Sequence, residues 1–219
     1  MLLRPLEVKM YISRVEIDVN NRAKIKDLSH VGAIHNWVER AFPKEILQHN
    51  RTRKLWRIDN LGGKEYLLIV SPAAPDISVL EIYGVKGSGS TKEYSKFLDG
   101  IGVGLRAKFR VTLNPVIAVS EGEGKRGKIK PHVTVEHQKK FLLDRAEKNG
   151  FHLAENEFDI VERTYVTLKK EGERPLGLSK VTYEGVLTVT DPDRFKLTLT
   201  EGFGKKKAYG FGLMTIIPF

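Results

Sequence analysis

Six histidines carry the side chains best suited to proton transfer near neutral pH: His30, His35, His49, His132, His137 and His152. His35 is singular among them. It falls on the apolar stripe of a candidate helix, between Val31 and Val38. A half-buried imidazole has a pKa tuned by its surroundings and can act as general acid or base. The same position also suits a packed histidine satisfied by a backbone carbonyl. His132 and His137 neighbour basic loop residues, in solvent or near phosphates. No acidic cluster meets a histidine at metal-ligand spacing, so neither a metal nor a cofactor is expected. The sequence has no cysteine, which excludes disulfides, iron–sulfur clusters, thiolate zinc sites and cysteine nucleophiles.

A second chemical signal lies near the C-terminus, in GFGKKKAYGFGLM (202–214). Gly202, Gly204, Gly210 and Gly212 allow positive φ or close approach of the backbone to a ligand. Lys205, Lys206 and Lys207 supply cations for phosphates, and Phe203, Tyr209 and Phe211 offer faces on which bases stack. The alternative is a glycine-bearing connection whose aromatics fill the core. Two nucleotide patterns fail. Gly122-x4-Gly127-Lys128 starts like a P-loop, but Ile129 stands where a magnesium-holding hydroxyl belongs. Gly102, Gly104 and Ala107 match a relaxed dinucleotide fingerprint, yet a strand follows where a helix is required.

Charge points toward a polyanionic partner. Thirty-seven Lys and Arg against 27 Asp and Glu give +10 over 219 residues. The excess is spread along the chain, with 16 basic and 12 acidic residues up to position 100 and 21 and 15 beyond it. A folded body with this excess attracts nucleic acid, the commonest large polyanion of a cytoplasm. No run approaches the roughly 20 apolar residues of a membrane span. The N-terminal stretch lacks a secretory apolar core, so a cytoplasmic location and no membrane partner are expected.

The elements that must position these groups follow from periodicity. Alternation over 9–19 predicts a strand. Leu28, Val31, Ile34, Val38, Ala41 and Phe42 form a helical stripe that Pro43 closes. Strands are predicted at 54–59 and 65–71, joined through Gly62 and Gly63, and at 79–85. The glycine- and serine-rich stretch 87–104 is read as containing a domain boundary. Beyond it come a strand at 105–113, a polar basic loop at 121–131, and a helix capped by Thr134 and stopped at Gly150. A long hairpin flanks KKEGERPLG (169–177). Asp191-Pro192 then opens a helix that Gly202 ends, before a terminal strand. The fold class is α+β, with two tandem ferredoxin-like (RRM-like) domains built on antiparallel sheets. The expected boundaries are 1–95, carrying the candidate catalytic histidine, and 96–219, carrying the basic hairpin and the glycine-rich loop.

Five motifs in order resemble the CasE-type CRISPR-associated endoribonucleases of the RAMP superfamily, subunits of the type I-E Cascade complex. They are MYIS (10–13), a histidine shortly before Phe42-Pro43, FRVTLNP (109–115), Tyr183-Glu184-Gly185 followed by VLTVTDP, and the terminal pattern. That pattern appears here as Gly202, Gly204, Lys207, Gly210, Gly212, Leu213 and Met214. The resemblance runs from Met10 to Phe219, with departures at Thr112 and Leu113.

The resemblance implies metal-independent cleavage of CRISPR precursor RNA at the base of each repeat hairpin. The upstream 2′-hydroxyl attacks the scissile phosphate, leaving a 2′,3′-cyclic phosphate and a 5′-hydroxyl. The family histidine maps to His35. Relatives carry a tyrosine three residues earlier, where this chain has Gly32. His30, about 140° from His35 on a continuous helix, is a poor substitute. The second proton-transfer group then falls to a hairpin or glycine-loop lysine. Arg163, Lys169, Lys170, Arg174 and Lys180 decorate the hairpin that relatives use on the RNA stem. Lys125, Arg126, Lys128 and Lys130 form a second basic segment that tracks phosphates or is a solvated loop. Gly204, Lys205, Lys207 and Tyr209 complete the expected RNA contacts. The expected partners are the repeat hairpin and other Cascade subunits. Two alternatives stay open: a non-catalytic RNA-binding subunit, and a processing nuclease of another CRISPR subtype.

Overall fold

The computed structural model describes residues 9–120, 122 and 127–219. Lys125 and Arg126, with the first eight residues, lie outside them. Two antiparallel sheets organise the described residues. The first contains β1 (Tyr11–Glu16), β2 (Leu55–Leu61), β3 (Lys64–Ser71) and β4 (Ser90–Glu93) in the order β2-β3-β1-β4. The second contains β5 (Arg106–Leu113), β8 (Phe151–His152), β9 (Phe158–Leu168), β10 (Leu176–Val189) and β11 (Met214–Pro218). Its order is β11-β5-β10-β8, with β9 also paired to β10. In each sheet the first strand is central, β1 between β3 and the last strand β4, and β5 between β10 and the last strand β11. This is the ferredoxin-like arrangement expected from the alternation of strands and helices.

Local sequence explains the elements that shape the cleft described below. The chain turns through α1 (Arg22–Ile25) and a 3₁₀ turn before α2 (Val31–Arg40). Val31, Ile34, Trp37 and Val38 of α2 are buried at helical spacing, and the Trp37 indole N–H donates to the Val79 carbonyl at 3.3 Å. Pro43 does end α2, yet it also sits in the first turn of α3 (Pro43–Leu47), where its missing N–H costs nothing. Gly62 and Gly63, at φ +61° and +79°, make the β2–β3 turn.

Two readings of the first half are corrected. Residues 79–85 are not a strand. Asp76 caps α4 (Ile77–Leu80), its carboxylate accepting from the Ser78 amide at 2.9 Å, and only Gly84 bridges to Ile17. The fourth strand is instead β4, within the stretch read as linker, followed by α5 (Ser95–Asp99). β4 pairs only with β1, so its outer edge needs no apolar residues.

The second half follows its sequence more closely. Thr134 caps α6 (Val135–Ala146), and Gly150 stops the following 3₁₀ turn at φ +82°. Asp191 caps α7 (Pro192–Glu201). At the end of the polar basic segment, Lys128–Pro131 forms a strand, β7, paired antiparallel with β6 (Val116–Val119).

The apolar cores interlock. Leu168 and Leu178 of the β9–β10 hairpin and Phe211 of the glycine-rich loop pack with Val31, Ile34 and Trp37 of α2. Leu55 and Val70 of the first sheet join the core of the second. Burying Leu168 and Leu178 draws the far end of the hairpin onto α2. Residues more than 130 positions apart in sequence therefore meet.

Candidate active site

His35 stands on α2 where two clefts meet. The first cleft, about 540 Å³, is lined by His30, His35, Lys169, Lys170 and Tyr209, with Gly32 beside them. The second, about 330 Å³, is lined by His35, Glu39, Arg51, Arg53 and Lys54. One imidazole thus borders two openings, each furnished with cations.

The position of each group has a local cause. Lys206 adopts a left-handed φ of +65°, so that the 3₁₀ turn Lys207–Tyr209 folds against α2 and β2. Tyr209 meets His35 edge to face, with ring centroids 5.5 Å apart. The Trp56 indole of β2 donates to the Ala208 carbonyl at 2.9 Å, holding the turn in place. At Gly210, φ +85°, a Cβ would come within 2.6 Å of the Trp56 ring, so only glycine fits there.

Electrostatics set the state of His35. Partial burial is the largest influence and lowers its pKa below the ordinary value. Glu39 opposes this, Arg51 and Lys54 reinforce it, and the Ala208 carbonyl opposes it again. The net direction is down, which leaves the ring neutral and able to accept a proton at pH 7. Lys54 is already engaged, its Nζ 2.6 Å from a Glu45 oxygen and 3.4 Å from Glu39. Arg51 and Arg53 pair with no carboxylate among the described residues.

The expected RNA contacts divide by location. Lys169, Lys170 and Tyr209 line the first cleft with His35. Arg163 and Lys180 lie further along the hairpin around a separate 220 Å³ hollow. There the Arg163 guanidinium donates to the Val133 carbonyl at 2.6 Å, and Lys180 pairs with Glu162 at 2.9 Å. Arg174 is exposed in the hairpin turn. Lys128 and Lys130 are exposed on β7. Lys205 borders a third cleft with His132, His137 and Arg145. Gly204 takes φ +86° in the loop.

Several expectations change. Phe203 and Phe211 are buried, so the core-filling alternative holds for both and Tyr209 alone faces a cleft. Lys207 lines neither cleft bordered by His35; its Nζ donates to the Gly202 carbonyl at 3.2 Å, and burial followed by Arg53 lowers its pKa. Although the basic hairpin lies in the other half of the sequence, its end reaches the cleft of His35, because Leu168 anchors it beside α2. His30 is not on the far side of a helix. It is the N-cap of α2, with extended backbone (φ −156°, ψ 158°), and it lines the same cleft as His35. Sequence reasoning missed Arg51 and Arg53, although three cations within RTRK (51–54) were a visible signal. Among the described residues, no three His, Cys, Asp or Glu side chains gather to hold a metal.

Comparison with known proteins agrees with this architecture. The profile of the family described as CRISPR associated protein matches residues 10–218. The chain belongs to that family. It is 30% identical to the CRISPR-associated endoribonuclease Cse3 of Thermus thermophilus, over 95% of this chain and all of the relative. Among solved structures, Thermus thermophilus Cse3 bound to an RNA representing a pre-cleavage complex is similar at TM-score 0.78 and 27% identity, covering 96% of this chain and all of that one. A chain of a CRISPR RNA-guided surveillance complex, at TM-score 0.62 and 17% identity over 95% of this chain and all of that one, shares the fold.

Proposed function

We propose that this protein is an endoribonuclease that cuts CRISPR precursor RNA at the base of the repeat hairpin without a metal ion. The observation that carries the reading is a single imidazole, its pKa lowered by burial, at the junction of two cation-lined clefts. The similarity to Cse3 supports the substrate class. His35 accepts the proton of the 2′-hydroxyl as the O2′–P bond forms and the P–O5′ bond breaks. The departing oxygen takes a proton from a hairpin ammonium, Lys169 or Lys170. These lysines share the cleft with His35, which favours them over Lys207. Positive charge from Arg51 and Arg53 in the second cleft offsets the growing charge on the phosphorane. The products are a 2′,3′-cyclic phosphate and a 5′-hydroxyl. We place the boundary between the two ferredoxin-like domains near residue 95. The product RNA remains bound, within a Cascade-like assembly in the cytoplasm.

The test is incubation with a repeat transcript in EDTA, with end-group analysis of the fragments. A shortened RNA ending in a cyclic phosphate is expected. Binding without cleavage would instead identify an RNA-binding subunit, and cleavage restored only by magnesium would overturn the metal-independent route.

A further inference from the structure

We propose that His30 is a second catalytic residue, whose neutral imidazole donates its Nε2–H to the phosphate oxygens of the scissile group. This rests on the endoribonuclease reading above and deepens it. Three observations converge on the side chain.

The first is location, since His30 lines the first cleft together with His35, Lys169 and Lys170. The second is the hydrogen bond that fixes its tautomer. The Ala33 amide donates to His30 Nδ1 at 3.2 Å. That bond needs the lone pair on Nδ1, so the ring proton resides on Nε2. While that bond is made, Nδ1 is the acceptor of the ring and Nε2–H its donor. The third is the space it occupies. A Cβ built on Gly32 would lie 3.0 Å from both His30 Nδ1 and the Lys169 carbonyl oxygen. The bare backbone at Gly32 lets the imidazole fold over the first turn of α2 and lets the hairpin backbone close on it. A side chain at position 32 would crowd both the His30 ring and the Lys169 carbonyl, which would have to give way.

Capping alone does not account for a histidine there. Ser, Thr, Asp and Asn are the strongly preferred N-caps, each smaller and each accepting from the backbone equally well. A ring lining a cleft that Lys169 and Lys170 share, with Glu171 beside them, suits phosphate recognition better. In the reaction the 2′-hydroxyl proton passes to His35 and the leaving oxygen takes its proton from a hairpin lysine. The Nε2 proton stays on His30 throughout, hydrogen-bonded to a non-bridging oxygen whose charge grows in the phosphorane.

Two substitutions separate this role from simple capping. In His30→Asn the amide oxygen reproduces the Nδ1 acceptor and keeps the cap, but nothing replaces Nε2–H. In His30→Gln the amide nitrogen reaches the Nε2 position, while the cap is lost. Single-turnover cleavage of a repeat hairpin, with each protein in excess, gives the rate, and a filter-binding titration gives affinity. His30→Asn is expected to bind and to melt like the parent but to cleave about 10²–10³-fold more slowly, the range for losing one such donor. His30→Gln is expected to cleave faster than His30→Asn despite a lower melting temperature. His30→Ser, another cap without a long donor, is expected to match the slow rate. Parental cleavage by His30→Asn would overturn the role of His30 and leave the endoribonuclease reading intact. A parent protein that binds the hairpin but never cuts it would overturn both.

Discussion

His35 experiences opposing influences whose net sign has a kinetic consequence. Burial disfavours the imidazolium, Glu39 favours it, Arg51 and Lys54 disfavour it, and the Ala208 carbonyl favours it. Because the net shift is downward, the neutral base persists below the ordinary histidine pKa of about 6.5. The acid limb of kcat/KM reports ionisation in the free enzyme, so its midpoint is expected below that value. The sign for stability agrees: a lowered folded-state pKa means that protonation favours the unfolded chain. The contribution of His35 is complete above about 6.5 and is lost as pH falls through its lower folded value. His35→Ala should remove the limb and lower the rate by about 10²–10⁴-fold, the usual contribution of one acid or base. A parental midpoint at or above 6.5, or near-parental cleavage by folded His35→Ala, would contradict the role as base. The half-buried place of His35 on α2 was legible because Val31 and Val38 bracket it on one stripe, whereas its assignment as the family histidine came from the resemblance. The approach of His30 to the same cleft was not legible, because a helical wheel assumes a continuous helix. The α2 backbone begins only after His30, whose extended conformation brings the ring back over Gly32.

At the scale of elements, the β9–β10 hairpin brings its far end to the cleft bordered by His35 and carries Arg163 and Lys180 further along its length. Lys169 and Lys170 follow directly on Leu168, which is 2% exposed and packs in the core containing α2. A buried leucine thus holds two cations at the mouth of the cleft. Each cation that neutralises a phosphate releases a counterion, so affinity falls with salt. Replacing both lysines by alanine should reduce the slope of log affinity against log salt by about 2, one for each phosphate no longer neutralised. Titrations between roughly 50 and 200 mM salt measure this. An unchanged slope would place both amines off the RNA. The hairpin itself was readable from two strand-like runs about a turn-forming segment. Its destination was not, because the anchors Leu168 and Leu178 look like any alternating core residues until the α2 surface they bury is known. Misreading 79–85 has a related cause. It is rich in β-branched and aromatic residues (Val79, Ile82, Tyr83, Val85), yet Asp76 caps a short helix, while the true fourth strand is a polar edge with little apolar signal.

The clefts exist only while both halves of the molecule stay in register, and one buried side chain bridges them. Arg57 of β2 has a side chain 2% exposed to solvent. Its Nε and Nη2 each donate to an Asp59 oxygen at 2.7 Å. Nη1 donates to the Arg110 and Leu213 carbonyls at 2.8 Å, and Nη2 also reaches the Thr215 hydroxyl at 2.8 Å. The second sheet and its approach loop are thereby tied to the first. Arg110 closes the cluster, with its Nε 3.2 Å from Asp59 and a further ion pair to Glu184. Breaking a buried pair costs about 3–5 kcal/mol, and without Arg57 the Asp59 carboxylate keeps only the longer contact to Arg110. Arg57→Ala should lower stability by about that amount, or roughly 6–20 °C in Tm for a chain of this size. Asp59→Leu added to Arg57→Leu removes the carboxylate that Arg57→Ala leaves with Arg110 as its one remaining partner, but leaves the Arg110 and Leu213 carbonyls without their donor. The double variant should therefore recover part of the loss and not all of it. Urea unfolding followed by tryptophan fluorescence measures both variants, since Trp56 adjoins Arg57 and donates to Ala208 beside the cleft. Arg57→Ala within about 1 kcal/mol of the parent, less than a third of the expected loss, would show that apolar packing alone holds the sheets together.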